Sequence, residues 1–393
     1  MIKYFLNEPY IKGNEKEYVL DVLDSGWLSS NGKHTKIFEE KFAEMVGVKY
    51  ALAVQSGTAA LHTAMLSLNI GKGDKVVIPN FTCGACVTSV LQTGATPVIL
   101  DIEDETFCLD ANILENYIER DGKPKAVMLV HIYGFPARDL DRITYLCKRD
   151  NIFLIEDCSE AHGAEYHGKK LGSFGDVSIF SVRSEKMIGV GEGGLVLTNN
   201  KEIIDNAFYW ASRAAPYRGS RDPYWYKYFY SDIGMNYLMP HLLGAVGRAQ
   251  IENFLEILNK KRQVGEKYKY FFKNKEGIKL QKTIPGAEPC YWLNLLVLKD
   301  KTKEDVRELG EKLVSQGVEI RPAFWPLSTQ PIFRDFAWGS QKVGNYLFEK
   351  GIIMPSSVFL SENKCSKVEE VFKIFDDLYK NTEKTVSFSV IHE

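Results

Sequence analysis

The sequence lacks three features that would assign it to a specialised class of protein. It has no basic excess, with 49 Lys and Arg residues against 51 Asp and Glu residues, which argues against a nucleic-acid-binding surface. It has no run of about 18 apolar residues, so we expect no membrane-spanning helix. Its first residues contain neither a long apolar stretch nor a small-residue cleavage site, so we expect no signal peptide and a cytoplasmic location.

Cysteine is also sparse. The seven cysteines are odd in number and mostly far apart in the sequence, a pattern typical of reduced thiols in a cytosolic enzyme. Cys83 and Cys86 form a CxxC pair, but no second such pair and no histidine pair completes a zinc site. We therefore expect no bound metal ion and interpret the thiols as small buried side chains.

Short apolar runs alternate with helical segments over the first two-thirds of the 393-residue chain. Polar or turn residues end five runs that predict strands, at 75–79, 97–101, 126–131, 152–157 and 177–181. This alternation predicts an α/β fold with a mostly parallel sheet. Ligands of such sheets lie beyond the carboxyl ends of the strands, so the residues after each strand are candidates for chemistry.

The pattern changes in the last third of the chain. It predicts a helical stretch from about Leu243 to Lys267, a strand at 290–298, and helices at 303–316 and 367–379. These elements are typical of a smaller α+β domain. We therefore predict a large domain at 1–245 and a small C-terminal domain at 246–393.

Three local patterns suggest chemistry. Lys186 follows a predicted strand and precedes a glycine-rich turn, where a desolvated lysine can form a Schiff base. Asp157 ends a buried strand and needs a cationic partner, such as a protonated pyridine nitrogen. Ser56, Gly57 and Thr58 open an apparent helix, whose N-terminus can bind a phosphate. Each pattern also has an ordinary interpretation, as a surface lysine or a helix cap.

The glycines at 189, 191 and 194 match the dinucleotide-binding fingerprint as a string. That fingerprint requires a helix after the glycines, whereas residues 195–198 have the composition of a strand. We therefore discount a nicotinamide site.

The candidate phosphate site at 56–58, the acidic strand end at Asp157 and the lysine at 186 follow one another in this order along the chain. In this respect the sequence resembles the sugar aminotransferases of the DegT/DnrJ/EryC1/StrS group. These are fold-type-I enzymes that use pyridoxal 5'-phosphate (PLP), and the GDP-perosamine synthase branch looks most similar. The Lys-x4-GEGG arrangement at Lys186 is the most specific match. The other matching motifs are 26–32, 56–61, 94–97, 156–157 with 161–163, 234–237 and 321–322.

The resemblance implies a fold-type-I architecture and specific roles around the cofactor. Lys186 would form the Schiff base and move protons, and Asp157 would keep the pyridine nitrogen protonated. Gly57, Thr58 and Ser181 would bind the phosphate.

Further roles follow from the same resemblance. Asn236 would reach the phosphate from the neighbouring subunit, which implies a homodimer with shared active sites. Glu160 would lie near the cofactor's hydroxyl group, and His162 would follow it at the substrate site. Cys83 stands where many relatives have an aromatic ring stacked on the pyridine, and Phe81 is a nearby substitute.

The resemblance implies ping-pong transfer from glutamate to an anionic keto substrate. The residues expected to bind this substrate, besides His162, are arginines: Arg183, Arg213, Arg218, Arg221 and Arg321. Three of these lie in the aromatic-rich segment 210–230, predicted to be a long loop. The leading substrate is a nucleotide-linked 4-keto-6-deoxy sugar for surface polysaccharide. The alternatives are a phosphorylated ketone such as dihydroxyacetone phosphate, a keto-octulosonate, or a non-catalytic PLP-binding sensor.

Overall fold

The computed structural model describes residues 1–216, 225, 226, 228–361 and 367–386, with side chains as far as residue 380. The described strands, in chain order, are β1 Tyr50–Val54, β2 Lys75–Pro79, β3 Thr96–Leu100, β4 Ala126–Val130, β5 Phe153–Asp157, β6 Glu165–Tyr166, β7 Lys169–Lys170, β8 Val177–Ser181, β9 Gly194–Thr198, β10 Ile278–Leu280, β11 Ala287–Glu288, β12 Asn294–Leu298, β13 Arg321–Pro322 and β14 Gly351–Met354.

The described α-helices separate these strands along the chain. They are α1 Glu15–Ser25, α2 Lys33–Val46, α3 Gly57–Ser67, α4 Ala85–Gln92, α5 Ala111–Asp121, α6 Leu140–Asp150, α7 Lys201–Ala211, α8 His241–Glu252, α9 Phe254–Phe272, α10 Lys303–Ser315, α11 Lys342–Lys350 and α12 Lys367–Val386. None of these helices is both long enough and apolar enough to cross a membrane.

A seven-stranded mixed sheet forms the centre of the fold, in the order β1-β9-β8-β5-β4-β2-β3. Neighbouring strands from β8 through β3 pair in parallel, and only β9 runs antiparallel to its neighbours. Strands β4 and β9 are buried along their whole length, as expected for a sheet covered on both faces. The prediction of an α/β fold with a mostly parallel mixed sheet is confirmed.

A second, antiparallel sheet lies in the C-terminal third, in the order β10-β12-β14-β13. Helices α10 and α12 pack against each other beside it, with their own apolar core. A three-stranded sheet, β11-β6-β7, connects this region to the loop after β5. The N-terminal segment also contacts this C-terminal region, because the amides of Lys3 and Tyr4 donate to the carbonyl oxygen of Gly317.

Some boundaries in this region differ from those predicted. The helical stretch from Leu243 is two helices separated at Asn253, whose backbone leaves the helical region. The predicted strand 290–298 begins only at Asn294, because Tyr291 adopts a positive φ of 52°. Helix α8 runs across residue 246 and packs against α1 and α2. The division of domains at that residue stays a prediction.

Candidate active site

The carboxyl ends of β5 and β8 bring two of the candidate residues to one edge of the central sheet. Asp157 is the last residue of β5 and Ser181 the last of β8. The Asp157 side chain is buried, accepts the amide of Ser159 at 3.0 Å and receives the thiol of Cys86 at 3.4 Å. Among the residues that the structure describes, no cationic side chain pairs with this carboxylate, so it is available to a cationic group in the cavity.

Helix α3 begins beside Ser181 at the same edge. The Ser56 hydroxyl caps the helix by accepting the amide of Ala59 at 3.1 Å. Gly57 is required here, since a Cβ at this position would lie 2.8 Å from Ser181 Cβ. The close approach leaves free helix N–H groups, the Thr58 side chain and the Ser181 hydroxyl facing one space. This arrangement is suited to a phosphate group.

Lys186 lies in the loop between β8 and β9, and its side chain is only 10% exposed. Its Nζ is 3.6 Å from Glu160 Oε1 and 3.5 Å from the centroid of the Trp292 ring. The loop is held by backbone hydrogen bonds from Ser184 to Gly191 and from Lys186 to Arg183. The Lys186 amine therefore lies inside the protein, on a side chain carried by a folded loop.

Glu160 is the buried acidic partner of this lysine. Its Oε2 accepts the amide of Tyr133 at 2.7 Å, and Tyr133 adopts a positive φ of 55° to make that bond. Burial raises the pKa of Glu160 to about 7, while Lys186 and the Tyr133 amide oppose the rise. A carboxyl with such a pKa exchanges its proton near neutral pH, which suits acid–base chemistry beside Lys186.

These residues line one cavity of about 600 Å³. Its walls come from the central sheet, the N-terminal segment and the C-terminal sheet. The predicted site residues on its surface are Gly57, Thr58, Cys83, Asp157, Glu160, Ser181, Arg183, Lys186 and Arg321. The structure therefore brings these nine predicted residues together around one space.

Two arginines stand at the open side of the cavity. Arg183 is 59% exposed and pairs with Glu192 at 3.1 Å and with Glu185 at 3.3 Å. Arg321 is 66% exposed and lies 3.7 Å from Glu319. Because both guanidinium groups are mostly exposed to solvent, an anionic ligand can compete with these carboxylates for them at small cost.

The remaining predicted residues are not in this cavity. His162 is buried between Phe42 and Phe180, so it lies behind the site and away from the substrate space. Burial there lowers the pKa of His162 to about 3. Asn236 and Arg213 are exposed on the surface outside the cavity. Arg218 and Arg221 lie outside the described residues.

Several lining residues were not predicted from the sequence. Asn7, Trp292, Glu319, Phe324 and Trp325 all reach the cavity from distant parts of the chain. They belong to no short motif, so only long-range packing brings them to Lys186. Phe81, the expected substitute for a stacking ring, is fully buried against other aromatic rings, and Cys83 takes the exposed position.

A buried group of possible metal ligands lies next to the site. His131, Glu156 and Cys158 bring their ligand atoms within 4.8 Å of one another. The Glu156 oxygens already accept three amides, from Gly172, Phe174 and Gly175, and Glu156 Oε1 lies 3.2 Å from His131 Nε2. These contacts are structural, and we assign no metal to them.

The sequence of the chain matches the DegT/DnrJ/EryC1/StrS aminotransferase family over residues 9–373. The chain therefore belongs to this family. Like its family, it is a PLP-dependent aminotransferase. The resemblance inferred from the motifs is confirmed.

Relatives and solved structures agree with this membership. GDP-perosamine synthase of Escherichia coli O157:H7 is 37% identical over 93% of this chain and 97% of its own length. GDP-perosamine synthase of Vibrio cholerae is also 37% identical, over 92% of this chain and 96% of its own. The crystal structure of 3-amino-5-hydroxybenzoic acid synthase has a TM-score of 0.87 at 23% identity, covering 97% of this chain and all of that one, and shows the shared fold.

The cavity fits the cofactor of the family. Gly57, Thr58 and Ser181 form a cradle that a Cβ would fill, at the right place for the phosphate. Asp157 supplies a buried carboxylate, with no cationic partner in the described part of the chain, for the pyridine nitrogen, and Lys186 supplies the amine. The side chains present therefore fit the phosphate, the pyridine nitrogen and the aldehyde of PLP.

Proposed function

We propose that this enzyme transfers an amino group from glutamate to the keto carbon of a nucleotide-linked 4-keto-6-deoxy sugar, for surface polysaccharide assembly. The observation that carries the proposal is the Lys186 amine inside a cavity of about 600 Å³ with two exposed guanidinium groups at its opening. The likeness to the GDP-perosamine synthases supports this substrate class.

The buried residues divide the chemistry among themselves. When bound, PLP supplies an electron sink and carries the amino group between the two substrates. Lys186 would move a proton at the reacting substrate carbon, since its amine is held inside the cavity. Asp157 would keep the pyridine nitrogen protonated, and Glu160 would hold or release a proton beside Lys186 near neutral pH.

The opening of the cavity would bind the nucleotide part of the substrate. Arg183 and Arg321 would exchange their carboxylate partners for phosphate oxygens, which guanidinium groups bind with two parallel hydrogen bonds. Trp325 is 58% exposed at the same opening and offers a ring for a sugar or base. We propose Arg213, together with Arg218 and Arg221 outside the described residues, as further phosphate-binding residues.

We also propose a homodimer in which each subunit completes the site of the other. Asn236 is exposed and lies outside the cavity of its own chain, so its expected contact with the phosphate requires a second copy. Mixing Lys186→Ala and Asn236→Ala proteins tests this. Mixed dimers contain one site with neither substitution, so activity should return on mixing. Two inactive variants that stay inactive as a verified mixed dimer would contradict shared sites.

The substrate is tested by following 2-oxoglutarate formation from glutamate with different keto acceptors. We expect a GDP-linked 4-keto-6-deoxy sugar to support turnover and dihydroxyacetone phosphate to support little. Lys186→Ala is the matched control, and it should abolish turnover with every acceptor. Preference for the small phosphorylated ketone would refute the nucleotide-sugar proposal. A protein that binds PLP but never reacts with glutamate would refute the donor.

A further inference from the structure

A fully buried lysine lies behind the active site on helix α9. The Lys261 side chain is only 1% exposed, and its Nζ donates to the carbonyl oxygens of Trp292 at 2.7 Å and of Ser356 at 2.6 Å. A third hydrogen bond goes to Asn7 Oδ1 at 3.2 Å. All three donors of the ammonium group are therefore used, and its described partners are neutral oxygens.

Two of these contacts lead directly to the catalytic loop. The Asn7 side-chain amide donates through Nδ2 to the carbonyl oxygen of Glu185. Trp292 Nε1 donates to the same carbonyl oxygen at 2.8 Å. Glu185 immediately precedes Lys186, and the Trp292 ring also contacts the Lys186 amine. The network thus holds both the backbone before the catalytic lysine and the ring beside its amine.

The chemistry of the network explains why a lysine occupies this position. Three oxygens from segments far apart in the sequence converge on the buried Lys261 amine. Oxygen acceptors cannot bond to one another, so a group with several donors is needed to join them. An ammonium group is costly to bury without a carboxylate, which makes a purely structural use of it expensive compared with an apolar side chain.

We propose that Lys261 is a positioning residue for catalysis, which fixes the Glu185 carbonyl through Asn7 and Trp292 and thereby orients the Lys186 amine. This positioning by Lys261 acts on the cofactor-binding Lys186 and not on the substrate. It therefore applies to whichever keto substrate the enzyme uses. Burial lowers the pKa of Lys261 to about 7, which agrees with its closed surroundings.

The test uses Lys261→Met, Asn7→Asp and a matched control on the same helix. Asn7→Asp keeps an oxygen for Lys261 but removes the donor to Glu185. Tyr268→Phe is the control, because the Tyr268 hydroxyl donates to Pro355 next to Ser356 but has no bond to the catalytic loop. It removes a buried hydrogen bond from the same helix and leaves the network intact.

Hydrogen exchange of the cofactor-free proteins gives the first readout. We expect the amides of the loop 183–190 to exchange at least about tenfold faster in Asn7→Asp and Lys261→Met than in wild type, and unchanged in Tyr268→Phe. The second readout is the pH midpoint of the visible absorption of the PLP-loaded enzyme without any substrate, which should move in the same two variants only. This measurement needs neither amino donor nor acceptor, so it is independent of the proposed function.

Steady-state kinetics complete the test. Lys261→Met should lower kcat about tenfold or more with little change in KM, because the amine is misplaced and the arginines at the cavity opening are untouched. Asn7→Asp should lower kcat as well, and because Asn7 lines the cavity, the added carboxylate should also raise the KM of an anionic acceptor. Equal effects in Tyr268→Phe, or unchanged exchange and absorption in Asn7→Asp, would overturn the proposal. If Lys261→Met does not fold, Lys261→Gln takes its place in all three measurements, because its amide keeps donors at this position but is too short to join the three oxygens.

Discussion

Replacing Glu160 by glutamine should change how the stability of the cofactor-free protein depends on pH. Burial raises the pKa of Glu160 from its ordinary value of 4.5 to about 7, so the folded state holds this proton more tightly than the unfolded state. The resulting stabilisation is complete below about pH 4.5 and is lost as the pH rises through about 7. Glutamine does not titrate and still accepts the Tyr133 amide.

The size of the effect follows from the two pKa values. At ~1.4 kcal/mol per pKa unit, the difference between 4.5 and about 7 corresponds to about 3.5 kcal/mol over the full titration. Between about pH 5 and about pH 8, the stability of Glu160→Gln relative to wild type should rise by about 2.5 kcal/mol. With ~2 cal/mol/K of unfolding entropy per residue, this is a relative gain of about 3 °C in Tm for this chain length.

Thermal unfolding of both cofactor-free proteins across this pH range measures the effect. Glu39→Gln is the matched control, because burial also raises the pKa of Glu39 to about 7 and its carboxylate accepts the Ala53 amide, outside the cavity. Glu39 is only half-buried, so its gain should be smaller. Only Glu160→Gln should also alter the pH profile of the reaction with glutamate near neutral pH. Parallel curves of Tm against pH for Glu160→Gln and wild type would refute the reasoning.

Three other substitutions separate the functions of the cavity. Asp157→Asn should slow the glutamate reaction by about 10²-fold or more, since the amide no longer stabilises a protonated pyridine nitrogen; an unchanged single-turnover rate would contradict this. Gly57→Ala places a Cβ 2.8 Å from Ser181 Cβ, which costs roughly 1–3 kcal/mol and should weaken PLP binding measured by fluorescence titration. Arg321→Ala should raise the KM for the nucleotide sugar by up to about tenfold and leave that for glutamate unchanged.

The sequence predicted those parts of the site that depend on short stretches of chain. Asp157 and Ser181 were found because a strand end in a parallel sheet is readable from an apolar run and the polar residue that ends it. Gly57 and Thr58 were found because small residues open an apparent helix, and Lys186 because it lies between a strand and a glycine-rich turn. In each case the neighbouring residues determine the local geometry, and the resemblance to the family then implied the role at the cofactor.

The residues that the sequence did not reveal depend on long-range packing. Asn7 and Trp292 are separated by most of the chain, yet both donate a hydrogen bond to the carbonyl oxygen of Glu185. No local sequence pattern indicates this contact. His162 shows the opposite error. Its position in a motif next to Glu160 suggested a substrate contact, but the turn after β5 directs it into the aromatic core.

The charges of the cavity differ in accessibility, and this difference separates the chemical step from substrate selection. The side chains of Lys186 and Glu160 are only 10% and 6% exposed, so the interaction between their charges is strong. A change in their separation or protonation should therefore alter kcat. Arg183 and Arg321 are mostly exposed to solvent, so their ion pairs contribute little and substitution there costs little stability. Acceptor preference can therefore change through the arginines at the opening while the buried pair, and the reaction with the amino donor, stay the same.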